Sequence, residues 1–196
     1  MKEREVLEIH CDGSGNTQDK NQPLGIGILF MFDDFERKLH YKTYDYLIAK
    51  EFNVDIGEIN TPILEAYSIY QTLKEIASIQ NRNKKFIIYN DNQGIYNLIN
   101  KKKTSKKKNR RYFQLQWRLE NDKKYLLYYN IIQKIRTLLK KMDVELRWIK
   151  GHCGVYGNEI VDKLAKKAIK KNIKSINLNK SMKLQVELFE YNFLKL

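Results

Sequence analysis

Cysteine is scarce in this 196-residue chain: Cys11 and Cys153 are the only two. A pair cannot build a disulfide framework, and a reducing, cytoplasmic setting is expected. Each follows a histidine, as His10–Cys11 and His152–Cys153. Paired zinc ligands usually leave about two to four residues between them, and adjacent strand residues point to opposite faces, so no zinc site is expected. Long apolar runs are also missing. The longest, LGIGILFMF at Leu24–Phe32, has nine residues, against the ~20 that a membrane-spanning helix needs. The opening MKEREVLEIH carries three glutamates and no apolar centre, unlike a secretory signal. Acid is short relative to base: Asp+Glu 23 against Lys+Arg 37 gives +14. Such a balance is hard to reconcile with an enzyme of neutral metabolites and favours a polyanionic partner, nucleic acid first and an anionic membrane surface second. The chain is rich in Lys, Asn, Ile and Tyr together, a bias that can raise lysine everywhere, so clustering has to decide.

What is present is enough apolar residue, 42%, for one core of about 150 residues plus a modest appendage. REVLEIHCDGSG reads as a strand stopping at Asp12, and LGIGILFMF and RKLHYKTYDYLI read as two more, giving an antiparallel meander. Ile63, Ala66, Tyr67, Tyr70, Leu73 and Ala77 then recur three or four apart, which predicts a helix with Thr61 as N-cap and Pro62 as its first residue. A short strand, Phe86–Tyr89, ends at Asp91, and a helix with Ile95, Leu98 and Ile99 follows. One or two aromatic-studded helices lie between Arg111 and Met142, then a strand at Val144–Ile149 and an amphipathic helix from Asn158. The order β-β-β-α-β-α-(α)-β-α predicts an α/β fold, a five-stranded mixed sheet flanked by helices. Residues 1–171 form the expected domain, with residues 172–196 a C-terminal extension of unknown role.

Four acids fall at telling places: Asp12 and Asp91 at strand ends, Glu65 in the first turn of the first long helix, and Asp162 on the rim of the last helix beside Val161, Leu164 and Ala165. Singly, each has an ordinary use as turn-former or helix-dipole partner. Glu65 is four residues past Thr61, whereas a capping box would place its acid at three. A lone carboxylate at the position of Asp162 is costly without a cation. Several carboxylates at one end of a sheet in a basic chain make sense if they hold divalent metals that in turn hold phosphate.

With DGS at Asp12–Ser14, LEAYSIY around Glu65, IIYNDNQ around Asp91 and KGHCGVYGNEIVDKLA carrying His152 and Asp162, the chain resembles the type 1 ribonucleases H over roughly residues 5 to 170. The resemblance implies an endoribonuclease that cuts the RNA strand of RNA–DNA hybrids by two-metal hydrolysis, leaving 5′-phosphate and 3′-hydroxyl ends. By position it implies Asp12 bridging two Mg²⁺ ions, Glu65 and Asp91 completing the leaving-group site, and Asp162 on the nucleophile side, with Mn²⁺ able to substitute. His152, flanked by Gly151 and Gly154 in a loop that ends at Gly157, is expected to swing without strain and to carry protons.

Choosing a hybrid requires sensing 2′-hydroxyls. The resemblance assigns that to backbone around Gly13 and to Gln93, with Ser14 and Asn16 as looser candidates. The chain departs from the family pattern in NTQDKNQPLG and EINTPILE, where Asn60 and Thr61 stand for the usual paired asparagines. In KKKTSKKKNRR, eight of eleven residues are basic: Lys101, Lys102, Lys103, Lys106, Lys107, Lys108, Arg110 and Arg111. That block sits where some family members carry a basic protrusion gripping the DNA strand, and Tyr112, Phe113 and Trp117 follow it, which favours nucleic-acid contact over a merely solvated run. No N-terminal hybrid-binding module is expected before the first strand, and a monomer with no membrane and no obligatory protein partner is expected. Two readings compete: a nuclease of the same fold acting on another nucleic acid, and a catalytically silent nucleic-acid-binding module.

Overall fold

A computed structural model describes residues 5–15, 23–33, 35–54, 59–79, 84–100 and 125–170. In chain order these form β1 (Val6–Ser14), β2 (Leu24–Met31), β3 (Glu36–Thr43), α1 (Asp45–Glu51), α2 (Thr61–Ser78), β4 (Lys85–Asn90), α3 (Gln93–Asn100), α4 (Leu126–Leu139), β5 (Val144–Trp148) and α5 (Tyr156–Lys170). The expected mixed sheet is present, with strand order β3-β2-β1-β4-β5. β1 and β3 both run antiparallel to β2, while β4 lies parallel to both β1 and β5. Among the described residues no helix is long and apolar enough to cross a membrane.

Period-two alternation sorts the two faces of the sheet. Leu7, Ile9 and Cys11 of β1 and Ile26, Ile28 and Phe30 of β2 join the core under α2, with Ile63, Leu64, Ile69 and Leu73. The opposite face of β2 offers Gly25 and Gly27, and α5 lies directly on them. A Cβ at Gly25 would come 2.0 Å from Ala165 O, and one at Gly27 would come 2.2 Å from Val161 O. The helix thus rests on bare backbone, which lets Val161, Ala165 and Ala168 bury completely or nearly so.

Three boundaries differ from expectation. β1 continues through Asp12 to Ser14, because Asp12↔Gly27, Gly13↔Ile26 and Ser14↔Gly25 still pair with β2. The third strand ends at Thr43, and the YDYLI segment assigned to it is helix α1. Its buried residues Asp45, Ile48, Ala49 and Phe52 recur at helical spacing, a period masked by the β-preferring tyrosines beside them. The last helix opens at Tyr156, two residues before Asn158. The basic block Lys101–Arg111, Asn16 and residues 172–196 lie outside the described residues.

Candidate active site

Parallel pairing brings the first two acids together. The β1–β4 register runs from Val6↔Lys85 to His10↔Tyr89, so two residues further on Asp12 and Asp91 emerge from neighbouring strands. Asp12 Oδ1 accepts the Gly13 N–H at 2.7 Å. α2 then crosses β1 at Gly13, where a Cβ would sit 2.8 Å from Leu64 Cγ and 2.9 Å from Leu64 O. The missing side chain lets the residue after Leu64, Glu65, reach the strand ends. Asp12, Glu65 and Asp91 each offer an oxygen, and these oxygens lie within 4.8 Å of one another.

The electrostatics follow from this crowding. Burial, and then the charges of Asp91, Glu65 and Asp162, push Asp12 up to about 7 against the opposing Gly13 hydrogen bond. Burial and Asp91 also raise Glu65, while a hydrogen bond from Asn92 opposes that rise. Three hard oxygen donors that converge in this way are suited to a divalent cation.

Asp162 stands apart from the trio. It is close enough to raise Asp12, yet its Oδ2 accepts from Lys166 Nζ at 2.7 Å, one helical turn on. His152 is exposed on the loop before α5. Its own φ is +53°, so the strain expected to be absorbed by its glycine neighbours falls on the histidine itself. Gly151 serves the site in another way. A Cβ there would lie 2.6 Å from Asp91 Oδ2, so its bareness lets the loop close down on that carboxylate.

Of the residues expected to contact substrate, Gly13 and Ser14 are half-buried in β1, and Gln93 is exposed at the first turn of α3. Asn60 and Thr61 are exposed at the head of α2. Asn60, not Thr61, is the N-cap: its backbone is extended and its Oδ1 accepts Ile63 N–H at 3.1 Å. Thr61 is the first helical residue and Pro62 the second.

Residues that sequence reasoning did not select hold the site in place. Asn158 Nδ2 donates to Asp91 Oδ2 at 3.3 Å, and Trp148 Nε1 donates to Asp91 O at 3.0 Å. Asn90, 2% exposed, donates to Cys11 O at 3.1 Å and accepts Asn92 N–H at 3.0 Å. Asn92 Nδ2 in turn donates to Glu65 Oε2. The sequence signal was the NDN triplet, asparagines on both sides of an acid at a strand end.

Comparison with known proteins places this arrangement. The RNase H family model matches residues 4–170. A ribonuclease H of Dichelobacter nodosus (strain VCS1703A) is 49% identical over 37 residues, 19% of this chain and 25% of that relative. Among solved structures, LC9-RNase H1, a type 1 RNase H with the type 2 active-site motif, superposes with TM-score 0.54 at 17% identity, over 85% of this chain and 73% of that one. LC11-RNase H1, solved in complex with an RNA/DNA hybrid, gives TM-score 0.50 at 11% identity, over 83% and 98%. The two structures share the fold, and the family match spans all the described residues; the chain belongs to the ribonuclease H family of nucleases.

Proposed function

We propose that the chain hydrolyses the RNA strand of RNA–DNA hybrids with two Mg²⁺ ions as cofactor, leaving 5′-phosphate and 3′-hydroxyl ends, and that residues 1–171 are the catalytic unit. The observation that carries this reading is the convergence of Asp12, Glu65 and Asp91 within 4.8 Å, with Asp12 held near 7 by burial and by its acidic neighbours. Such a cluster is costly unless a cation is taken up. All-oxygen carboxylate donors fit Mg²⁺ and admit Mn²⁺. Asp12, Glu65 and Asp91 would hold one ion, and Asp12 with Asp162 the other. When bound, the ions neutralise developing phosphate charge and make a coordinated water acidic enough to attack.

The chain's own groups do the rest. Lys166 is an exposed i,i+4 partner of Asp162, a pairing worth ~0.5 kcal/mol or less and so a weak competitor for a cation. Gly151 brings the loop against Asp91, and the adjoining His152 is proposed to take up or release a proton there. Gly13, Ser14, Gln93, Asn60 and Thr61 are proposed to meet riboses, and the block Lys101–Arg111 to grip phosphates of the DNA strand. The solved LC11 relative with a bound hybrid supports the choice of substrate.

The test is cleavage of matched RNA–DNA hybrid, RNA duplex and DNA duplex side by side, in Mg²⁺ and in EDTA. Cleavage of the hybrid's RNA strand in Mg²⁺ alone, abolished by Asp12→Asn, is expected. No metal-dependent cleavage, or near-normal turnover by Asp12→Asn, would sink the proposal. Preference for another duplex would establish the competing nuclease reading.

A further inference from the structure

Asn92 has both ends of its side chain committed. Its Oδ1 accepts Ile95 N–H at 2.9 Å at the start of α3, the geometry of an N-capping side chain. With the oxygen so engaged, the amide has one orientation left: Nδ2 faces outward, and it donates to Glu65 Oε2 on α2. The residue cannot drift, because its backbone N–H is held by Asn90 Oδ1 at 3.0 Å, and buried Asn90 is itself anchored to Cys11 O at 3.1 Å, the residue before Asp12. A continuous run of amides therefore links the strand end bearing Asp12, the turn bearing Asp91 and the helix bearing Glu65. Neither asparagine carries charge, so neither adds to the crowding of the three acids.

We propose that Asn92 is a positioning residue of the metal centre: by using its oxygen to cap α3 it aims its amide N–H at Glu65 and fixes which oxygen of that carboxylate remains free for a cation. The inference rests on the metal-binding reading of Asp12, Glu65 and Asp91 given above. It assigns Asn92 no contact with substrate. Partners that orient a metal-binding carboxylate typically change metal affinity by about 10- to 100-fold when removed.

Asn92→Ser separates the two roles, since serine is also a strong N-cap but cannot span to Glu65 as the amide does. Two measurements on the full chain decide the matter. The first is Mg²⁺ and Mn²⁺ titration by calorimetry without nucleic acid. Asn92→Ser is expected to weaken binding by at least ~10-fold, and in the cleavage assay to raise the Mg²⁺ concentration for half-maximal rate while saturating Mg²⁺ restores most of the turnover. The second is metal-free thermal melting at pH 8 of Asn92→Ser, Glu65→Ala and the double variant. The Tm change from Asn92→Ser is expected to differ between the Glu65 and Glu65→Ala backgrounds, because the hydrogen bond exists in only one of them. Equal changes in both backgrounds, or wild-type metal affinity in Asn92→Ser, would overturn the proposal and leave Asn92 a helix cap. Coupling between Asn92 and Glu65 in a wild-type chain that binds neither ion would overturn the metal-centre reading itself, and the role of Asn92 with it.

Discussion

Replacing Asp12 by asparagine is expected to stabilise the metal-free protein while destroying its activity. The folded chain raises this carboxyl from an ordinary 3.8 to about 7. Below about pH 4 both folded and unfolded forms are protonated and nothing is lost. Between about 4 and 7 the unfolded chain releases its proton while the folded chain keeps it, so stability falls as pH rises and reaches its floor above the folded value. The full difference corresponds to about 4 kcal/mol at ~1.4 kcal/mol per tenfold. Asp12 keeps some solvent exposure, and screening and relaxation should reduce this to about 2 kcal/mol. Asparagine preserves the acceptor for Gly13 N–H and removes the charge. In EDTA at pH 8, Asp12→Asn should therefore melt roughly 4–8 °C above wild type, given ~2–4 °C per kcal/mol for a chain of this size. At pH 4 the two curves should converge. Mg²⁺ should raise the wild-type Tm and leave the variant nearly unmoved. Circular dichroism melts at the two pH values, with and without Mg²⁺, read all of this. A variant no more stable than wild type at pH 8 would refute the idea that burial, and then the neighbouring acids, penalise the Asp12 charge in the metal-free fold.

Two further substitutions probe the scaffold. Gly27→Ala would drive a methyl to 2.2 Å from Val161 O, a backbone atom that cannot turn aside. A loss of about 3 kcal/mol, roughly 6–12 °C in Tm, is expected together with loss of turnover as α5 and Asp162 are pushed off the sheet; an unchanged Tm would show that the helix has another seat. His152→Gly should match or exceed wild-type stability by up to ~1 kcal/mol, since a φ of +53° costs glycine nothing. Its turnover should fall by ~10²-fold or less, as should that of His152→Ala, and full activity in either variant would remove His152 from the chemistry.

How far the sequence reached can be traced residue by residue. The all-apolar β2 and the Ile63–Ala77 period were plain, because burial on both faces of a strand and on one face of a helix leaves a repeating mark. Asp12 and Asp91 stood out because each fell where an apolar strand run ends, Glu65 because it sat in the first turn of a helix, and Asp162 because it edged a helix's apolar face. Helix α1 was hidden because Tyr44 and Tyr46 favour strands, whereas Ile48 and Ala49 are buried, and burial overrides local preference. Asp12 does not stop its strand, since pairing to β2 carries β1 past the turn-like Asp-Gly-Ser. Asn90 and Asn92 showed only as the NDN triplet and Asn158 not at all, because an amide's value depends on which partner the fold delivers to it. Thr61 and Asn60 are both good caps by type, and backbone geometry chose between them.

The parallel register of β1 and β4 also bears on the order of events during folding. Val6 and Lys85 pair across 79 positions (85 − 6), and no local hairpin can bring them together, so their meeting waits for a long closure of the chain. Asp12 and Asp91, beyond the far end of that register, approach each other only when most of the pairing is complete. The penalty on the Asp12 charge, from burial first and from the neighbouring acids second, should then be absent at the folding barrier and present in the finished protein. It would hasten unfolding and leave the folding rate almost untouched. In stopped-flow measurements the stability gained by Asp12→Asn should accordingly appear as slower unfolding, which makes the metal-free lifetime of the protein, rather than its speed of assembly, the quantity that its own active site holds down.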